Sequence, residues 1–142
     1  IENLPKQKLS PQEIKDLLYM REEEKLARDV YLTLYRRWRL PVFRNIARSE
    51  QRHMDIMEVL IRKYGLKDPA KNQIGVFSNS HLQSLYNKLV AQGEKSLIDA
   101  LKVGALIEEL DITDLKRAMA ETDNQDIKIA YAHLTKGSRN HL

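Results

Sequence analysis

Glu50 and His53, in the stretch Ala47-Arg48-Ser49-Glu50-Gln51-Arg52-His53-Met54, are the pair whose types and spacing could do chemistry. Residues three apart sit one above the other on a helix. The apolar residues at the same phase, Phe43, Ile46, Met57, Leu60 and Tyr64, place the pair on the buried stripe. A carboxylate and an imidazole aimed into a core are donors for a divalent cation that needs no thiolate. A single Glu-x-x-His is more often a structural pair, so the reading turns on what other segments bring to the same place.

Three further segments bring acids and imidazole. At the four-three spacing of a bundle core, one inward stripe reads Leu17, Met20, Glu24, Ala27, Tyr31, Leu34. A second reads Leu97, Leu101, Gly104, Glu108, Asp111, Leu115, Ala118, and a third Ile127, Tyr131, Leu134, Ser138, His141. Glu24 is the end of the run Glu22-Glu23-Glu24; such runs face water, and phase alone turns Glu24 inward. The same period turns Glu108 inward and Glu109 out. His133 falls off the inner stripe and is expected to be exposed, and His81, at the start of a short helix, is not expected to be a ligand.

The elements that must position these side chains are nearly all helical. Residues 1–9 read as a loose polar arm and 10–142 as a single domain. Ser10-Pro11-Gln12-Glu13 is a helix start with a capping box, and the helix it opens reaches about Trp38, where Pro41 stops it. A second helix covers about 42–64 and ends at Gly65. Residues 66–79 carry no helical period, and a short helix follows over about 80–92. The last two long helices span about Ser96–Glu121 and about 125 to the end, parted by Thr122-Asp123-Asn124. Links of roughly four residues join the first and last pairs, and short links force antiparallel neighbours. The roughly thirty residues between the pairs suffice to travel the bundle and return. The expected fold is therefore all-α, a ferritin-like four-helix bundle of two hairpins with a long crossover that carries a short extra helix. At ~1.5 Å rise per residue, the acids and histidines fall within one or two turns of a common level.

Charge says what could sit there. Glu24, Glu50, Glu108 and Asp111 would bring four negative charges into a core, and each unpaired ion costs several kcal/mol. Two divalent cations cancel them, and neutral His53 and His141 complete the coordination. Carboxylate with imidazole suits iron or manganese, with zinc as a third candidate. The expected cofactor is two metal ions, iron first.

These residues carry a resemblance to the ferritin-like superfamily, on its rubrerythrin side, in a branch described as a domain of unknown function. It covers about residues 11–142. Glu24-Lys-Leu-Ala-Arg-Asp-Val-Tyr31 resembles the first-helix ligand segment, and Glu50-Gln-Arg-His53 the second-helix Glu-x-x-His, a bridging and a terminal ligand. Glu108-Glu-Leu-Asp111 matches a third-helix acidic pair, and Ser138-Arg-Asn-His141 lies where the family places its second Glu-x-x-His. The departure is Ser138, where a bridging Glu is usual; a serine cannot bridge two metals, and Asp111 could compensate by swinging inward. The resemblance implies oxidoreductase chemistry: ferroxidase, peroxidase or substrate oxidation, with dioxygen or peroxide as the reacting partner. Tyr31, on the same inner stripe as Glu24, could serve as a redox-active or hydrogen-bonding neighbour, and Asp29 or Asp114 could orient a ligand histidine from behind. Rubrerythrins add a cysteine-ligated iron domain. This chain has no cysteine, so if it is redox-active an electron relay of that type would have to come from an external donor.

Composition sets the outer bounds. The chain has 142 residues, 42% hydrophobic and 31% charged, with a net charge of +4. No apolar run approaches the ~18 residues of a membrane span, and the charge is too small and scattered to argue for nucleic acid. The expected chain is soluble, and either cytoplasmic or exported after removal of a signal peptide; homodimerisation is left open. Two other readings compete. Tyr35-Arg-Arg-Trp-Arg-Leu-Pro-Val-Phe-Arg44 interleaves arginines with aromatics and could contact phosphate or nucleic acid, or it could be a helix end whose arginines complement the dipole. A bundle held by metal without catalysis, serving structure or dimerisation, is the third reading.

Overall fold

The first helix begins at its cap. Ser10 Oγ accepts from the Glu13 backbone N–H at 3.1 Å, and the Ser10 N–H donates to Glu13 Oε1 at 2.8 Å, with Pro11 at the first helical position. In this computed structural model, which describes residues 3–5 and 7–142, five helices follow one another. They are α1 (Pro11–Trp38), α2 (Pro41–Lys63), α3 (Ser80–Gly93), α4 (Leu97–Ala120) and α5 (Gln125–His141). No strand occurs among the described residues. The expected loose arm falls partly on residues 1, 2 and 6, outside the described residues; nearby, Lys63 Nζ donates to the Leu4 carbonyl at 2.8 Å.

The first hairpin link is tighter than the sequence suggests, while the second, residues 121–124, has the expected length. Only Arg39 and Leu40 separate α1 from α2. Arg39 takes the left-handed conformation (φ 57°) and donates its N–H to the Tyr35 carbonyl at 2.7 Å. Pro41 then opens α2, where its missing N–H costs nothing. At the far end Gly65 (φ 66°) allows the Leu66 N–H to reach Ile61 O and its own N–H to reach Arg62 O, the paired bonds of a Schellman stop.

The four long helices close a ring in which α1 packs on α2 and α4, and α5 packs on the same two. Tyr31 Oη donates to the Gly104 carbonyl near the start of α4, while Glu13 meets Thr122 just beyond its end, so α1 and α4 run antiparallel. Tyr64 Oη donates to Asp126, tying the end of α2 to the start of α5. The crossover returns the chain along α1, and α3 packs on α1 and α4.

That crossover overturns the reading of the glutamate run. Glu22, Glu23 and Glu24 are all buried, as is every residue from Met20 to Ala27, because α1 is enclosed by α2, α4 and the crossover together. Glu22 accepts the Ser78 and Asn79 N–H groups at 2.7 and 3.0 Å. Lys25 Nζ, with no exposed surface, donates to Asp29 (2.7 Å) and to the carbonyls of Gln73 (2.8 Å) and Val76 (2.9 Å). Arg21 grips Asp68 and the Met54 carbonyl.

A second correction concerns the start of α4. Leu97 and Leu101, expected inside, are 39% and 48% exposed, and Ala100, Val103 and Ile107 face the core instead. A strict four-three count drifts ~20° per heptad from a straight helix, and α3 packs against the rotated face.

The core forms two apolar layers. One gathers Ala27, Tyr31, Leu34, Phe43, Ala47, Val103 and Ile107; the other Leu17, Met20, Met57, Leu60, Leu115, Ile127, Tyr131 and Leu134. Each fully buried large side chain contributes about 1.5–3 kcal/mol. Between these layers, in all four helices, lies a layer of acids and histidines.

Candidate metal centre

Glu24, Glu50, Glu108, Asp111 and Ser138 are buried to 1% exposure or less, and His53 to 3%. His53 Nδ1 lies 3.3 Å from Glu50 Oε2 and 3.7 Å from Glu24 Oε2. His141 Nδ1 lies 2.9 Å from Glu50 Oε1 and 3.2 Å from Glu108 Oε2. Two triads result, Glu24-Glu50-His53 and Glu50-Glu108-His141, each with one donor atom per residue within 4.8 Å of the others. They overlap at Glu50, whose two oxygens face opposite imidazoles. Asp111 belongs to neither triad; its carboxylate lies beside Glu24 and accepts from Ser138 Oγ at 2.6 Å.

Hydrogen bonding does not account for this layer. Both oxygens of Glu24, both of Glu50, Asp111 Oδ1 and His53 Nδ1 are buried without a hydrogen-bond partner. Interiors leave few such atoms, because each costs the full desolvation of a polar group. The donor set of carboxylate oxygen and imidazole nitrogen fits divalent cations, and these triads could hold metal ions.

The titration of the metal-free layer follows from crowding. Burial, then the charges of Asp111 and Glu50, push Glu24 far above the usual carboxylate range. Burial raises Glu108 to about 8 and, with the charge of Glu50, Asp111 to about 7. Burial would raise Glu50 as well, but the His141 and His53 imidazoles beside its two oxygens hold it well below the usual range. Burial would lower His141, yet its bond to Glu108 and the Glu50 carboxylate beside it lift it to about 9. Without metal the layer therefore retains protons at neutral pH in place of cations.

Residues 13–142, almost the whole bundle and all of both triads, match the family described as an uncharacterized protein domain, DUF2202. The chain belongs to the DUF2202 family. This DUF2202 chain is 59% identical over 143 residues to the uncharacterized protein MJ0754 of Methanocaldococcus jannaschii, an alignment covering 100% of this chain and 77% of that protein. It is also similar to the crystal structure of hypothetical protein MJ0754, with a TM-score of 0.96 at 60% identity, over 98% of this chain and 80% of the other.

Around the centre of this DUF2202 bundle, some supports differ from expectation. Asp29 faces Lys25, Arg28 and the Gly75 N–H, and Asp114 pairs with Arg117, so neither backs a histidine. Ser49 does: its Oγ lies 2.9 Å from His141 Nε2, where accepting the Nε2 proton leaves Nδ1 to face the carboxylates. Ser49 sits next to Glu50 in the sequence and carried no signal of its own. Gly137 is the other residue that sequence reasoning missed; it packs on the His53 ring, where any Cβ would collide. Tyr31 is buried beside the layer, its hydroxyl committed to Gly104 O at 3.1 Å. Burial, then the charges of Glu108, Glu50 and Asp111, raise its pKa. His133 is exposed, as expected, and its ring edge meets His53 at 6.3 Å between centroids; His81 is exposed on α3.

The arginine-aromatic corner is engaged within the chain. Arg37 covers the Trp38 ring at 4.1 Å, Arg39 and Arg44 cover Tyr35, and Trp38 Nε1 donates to the Gly93 carbonyl at 2.9 Å. No helix among the described residues is long and apolar enough to cross a membrane.

Proposed function

We propose that this DUF2202 chain is a non-haem dinuclear metal protein of ferritin-like type that carries out oxidoreductase chemistry on dioxygen, peroxide or ferrous iron. Iron is the first candidate metal, with manganese and zinc behind it. The observation that carries the reading is Glu50, buried, shared by two triads and flanked by an imidazole on each oxygen. A carboxylate so placed would be shared between two cations, one held with His53 and the other with His141. Glu24 and His53 would complete one site, and Glu108 and His141 the other. Asp111, steadied by Ser138, stands ready beside Glu24 in the place where the superfamily's second bridging glutamate is missing.

When bound, a redox-active pair supplies the electrons for reduction of dioxygen or peroxide, replenished by an external donor. The chain's own residues do the rest. Ser49 orients His141, Gly137 makes room for His53, and the apolar layers above and below exclude water. Glu24, Glu108 and His141 give up protons as cations enter, which keeps the centre near neutrality.

Elemental analysis of protein expressed with iron and manganese available tests the proposal. Two metal atoms per chain are expected in the wild type, or one if Ser138 disables the second position. Glu50→Ala loses both, while His53→Ala and His141→Ala each lose one. Oxygen uptake on adding ferrous iron then separates an enzyme from a metal-stabilised structural bundle. A wild type that binds no metal overturns the reading outright.

A further inference from the structure

We propose that Glu23 and Asp114 form an outer divalent-cation site through which metal reaches the centre; the routing, though not the site, rests on the dinuclear reading above. A cavity of about 360 Å³ opens along the seam of α1 and α4, with Asp16, Tyr19, Asp114 and Arg117 in its wall. Behind Asp114 lies Glu23, 2% exposed, with neither carboxylate oxygen hydrogen-bonded. Glu23 feels Asp114 on the cavity side and Asp111 on the inner side, and Asp111 in turn lies beside Glu24. Asp114, Glu23, Asp111 and Glu24 thus form a file of carboxylates from the cavity to the centre. Asp16 Oδ2, at the cavity wall, is a further buried oxygen without a partner.

Glu23 has no donor from the chain and lies within hydrogen-bond reach of Asp114, so without a cation the two carboxyls must share a proton. Glu22 has two backbone donors and Glu24 belongs to a triad, but Glu23 is buried against other acids. Two cations lie in the cavity wall, Lys15 and Arg117, and Arg117 pairs with Asp114 Oδ1 at 3.2 Å through a side chain that is 58% exposed, so an entering cation must displace it. The opposite approach to the centre is a smaller cavity of about 210 Å³ beside His141, walled by Val42, Phe43, Ile46 and Leu101. A hydrated cation would lose its water there without replacement, whereas the carboxylate file offers oxygen at each step. A pair of oxygen ligands without imidazole binds more weakly than the triads, as a transit site must.

Titration of the full chain with Mn²⁺, followed by the EPR signal of free ion, tests this. The wild type is expected to bind one ion at least ten-fold more weakly than those of the centre. Glu23→Gln and Asp114→Asn lose that weak ion, keep the tight ones, and fill the centre about ten-fold more slowly in stopped-flow mixing. Glu50→Ala loses the tight ions and retains the weak one, which separates failure of the centre from failure of the outer site. Asp114→Asn carries the test should Glu23→Gln not fold. A wild type without a weak ion, or a folded variant of either residue that keeps both the weak ion and the wild-type filling rate, overturns the proposal.

Discussion

Gly137 of α5 packs directly on the imidazole of His53 of α2, leaving no room for even a methyl group between helix backbone and ring. Alanine in the middle of a helix is favoured over glycine by about 1 kcal/mol, so Gly137→Ala should stabilise α5 if propensity decided. The contact decides instead, because the ring must turn and carry Nδ1 away from Glu24 and Glu50. The expected outcome is metal binding about ten-fold weaker at the His53 triad, of the order seen for residues that orient a ligand, with the His141 triad much less affected. Calorimetric titration of the variant resolves the two.

The metal-free protein should lose stability as pH rises. Folded Asp111, Glu108 and His141 hold their protons to about 7, 8 and 9, above their ordinary values of 3.8, 4.5 and 6.5. Between the ordinary and the raised values the folded chain binds more protons than the unfolded one, so stability falls with pH across that window. The His141 contribution is complete below 6.5 and gone above about 9. Glu50, held low, acts the other way, and its contribution disappears only as pH drops below its ordinary 4.5. Thermal melts should show a midpoint lower at pH 9 than at pH 6, by on the order of 5 °C. Saturation with metal should flatten that slope, since cations replace the protons.

Lys25→Met tests the clasp on the crossover. The substitution keeps the volume but leaves the Gln73 and Val76 carbonyls without their donor and Asp29 with only Arg28 and the Gly75 N–H. Breaking a buried ion pair of this kind costs about 3 kcal/mol or more. Denaturant titration should register that loss, and limited proteolysis should cut within residues 66–79 sooner than in the wild type.

The arginines at the first helix corner should not confer phosphate binding. Retention on a phosphate matrix is expected to be weak, and Arg36→Ala with Arg37→Ala should leave it unchanged across salt concentrations. Strong retention that falls steeply with salt in the wild type and vanishes in the double variant would restore the nucleic-acid reading.

Much of this arrangement is legible in the chain itself. Ser10 and Glu13 mark a cap, Gly65 a stop, and the phase of Glu24, Glu50, His53, Glu108 and His141 along apolar seams brings them to one level. What phase cannot supply is how many sides of a helix are covered. Stripe counting assumes one wet face, and it sends Glu22 and Glu23 to solvent; α1 has no such face there, because the crossover folds over Glu22 and α4 covers Glu23. The same limit misplaces Leu97 and Leu101. Gly137 and Ser49 escape because their work is done on partners from other helices, His53 and His141, and neither type advertises it.

The enclosure of α1 reaches beyond the centre. An ordinary amphipathic helix tolerates replacement in a rhythm of three and four, with permissive positions wherever it meets water. From Met20 to Ala27 there are none. An exhaustive substitution scan should therefore record these eight positions as one unbroken intolerant block, in which polar and apolar residues resist change alike.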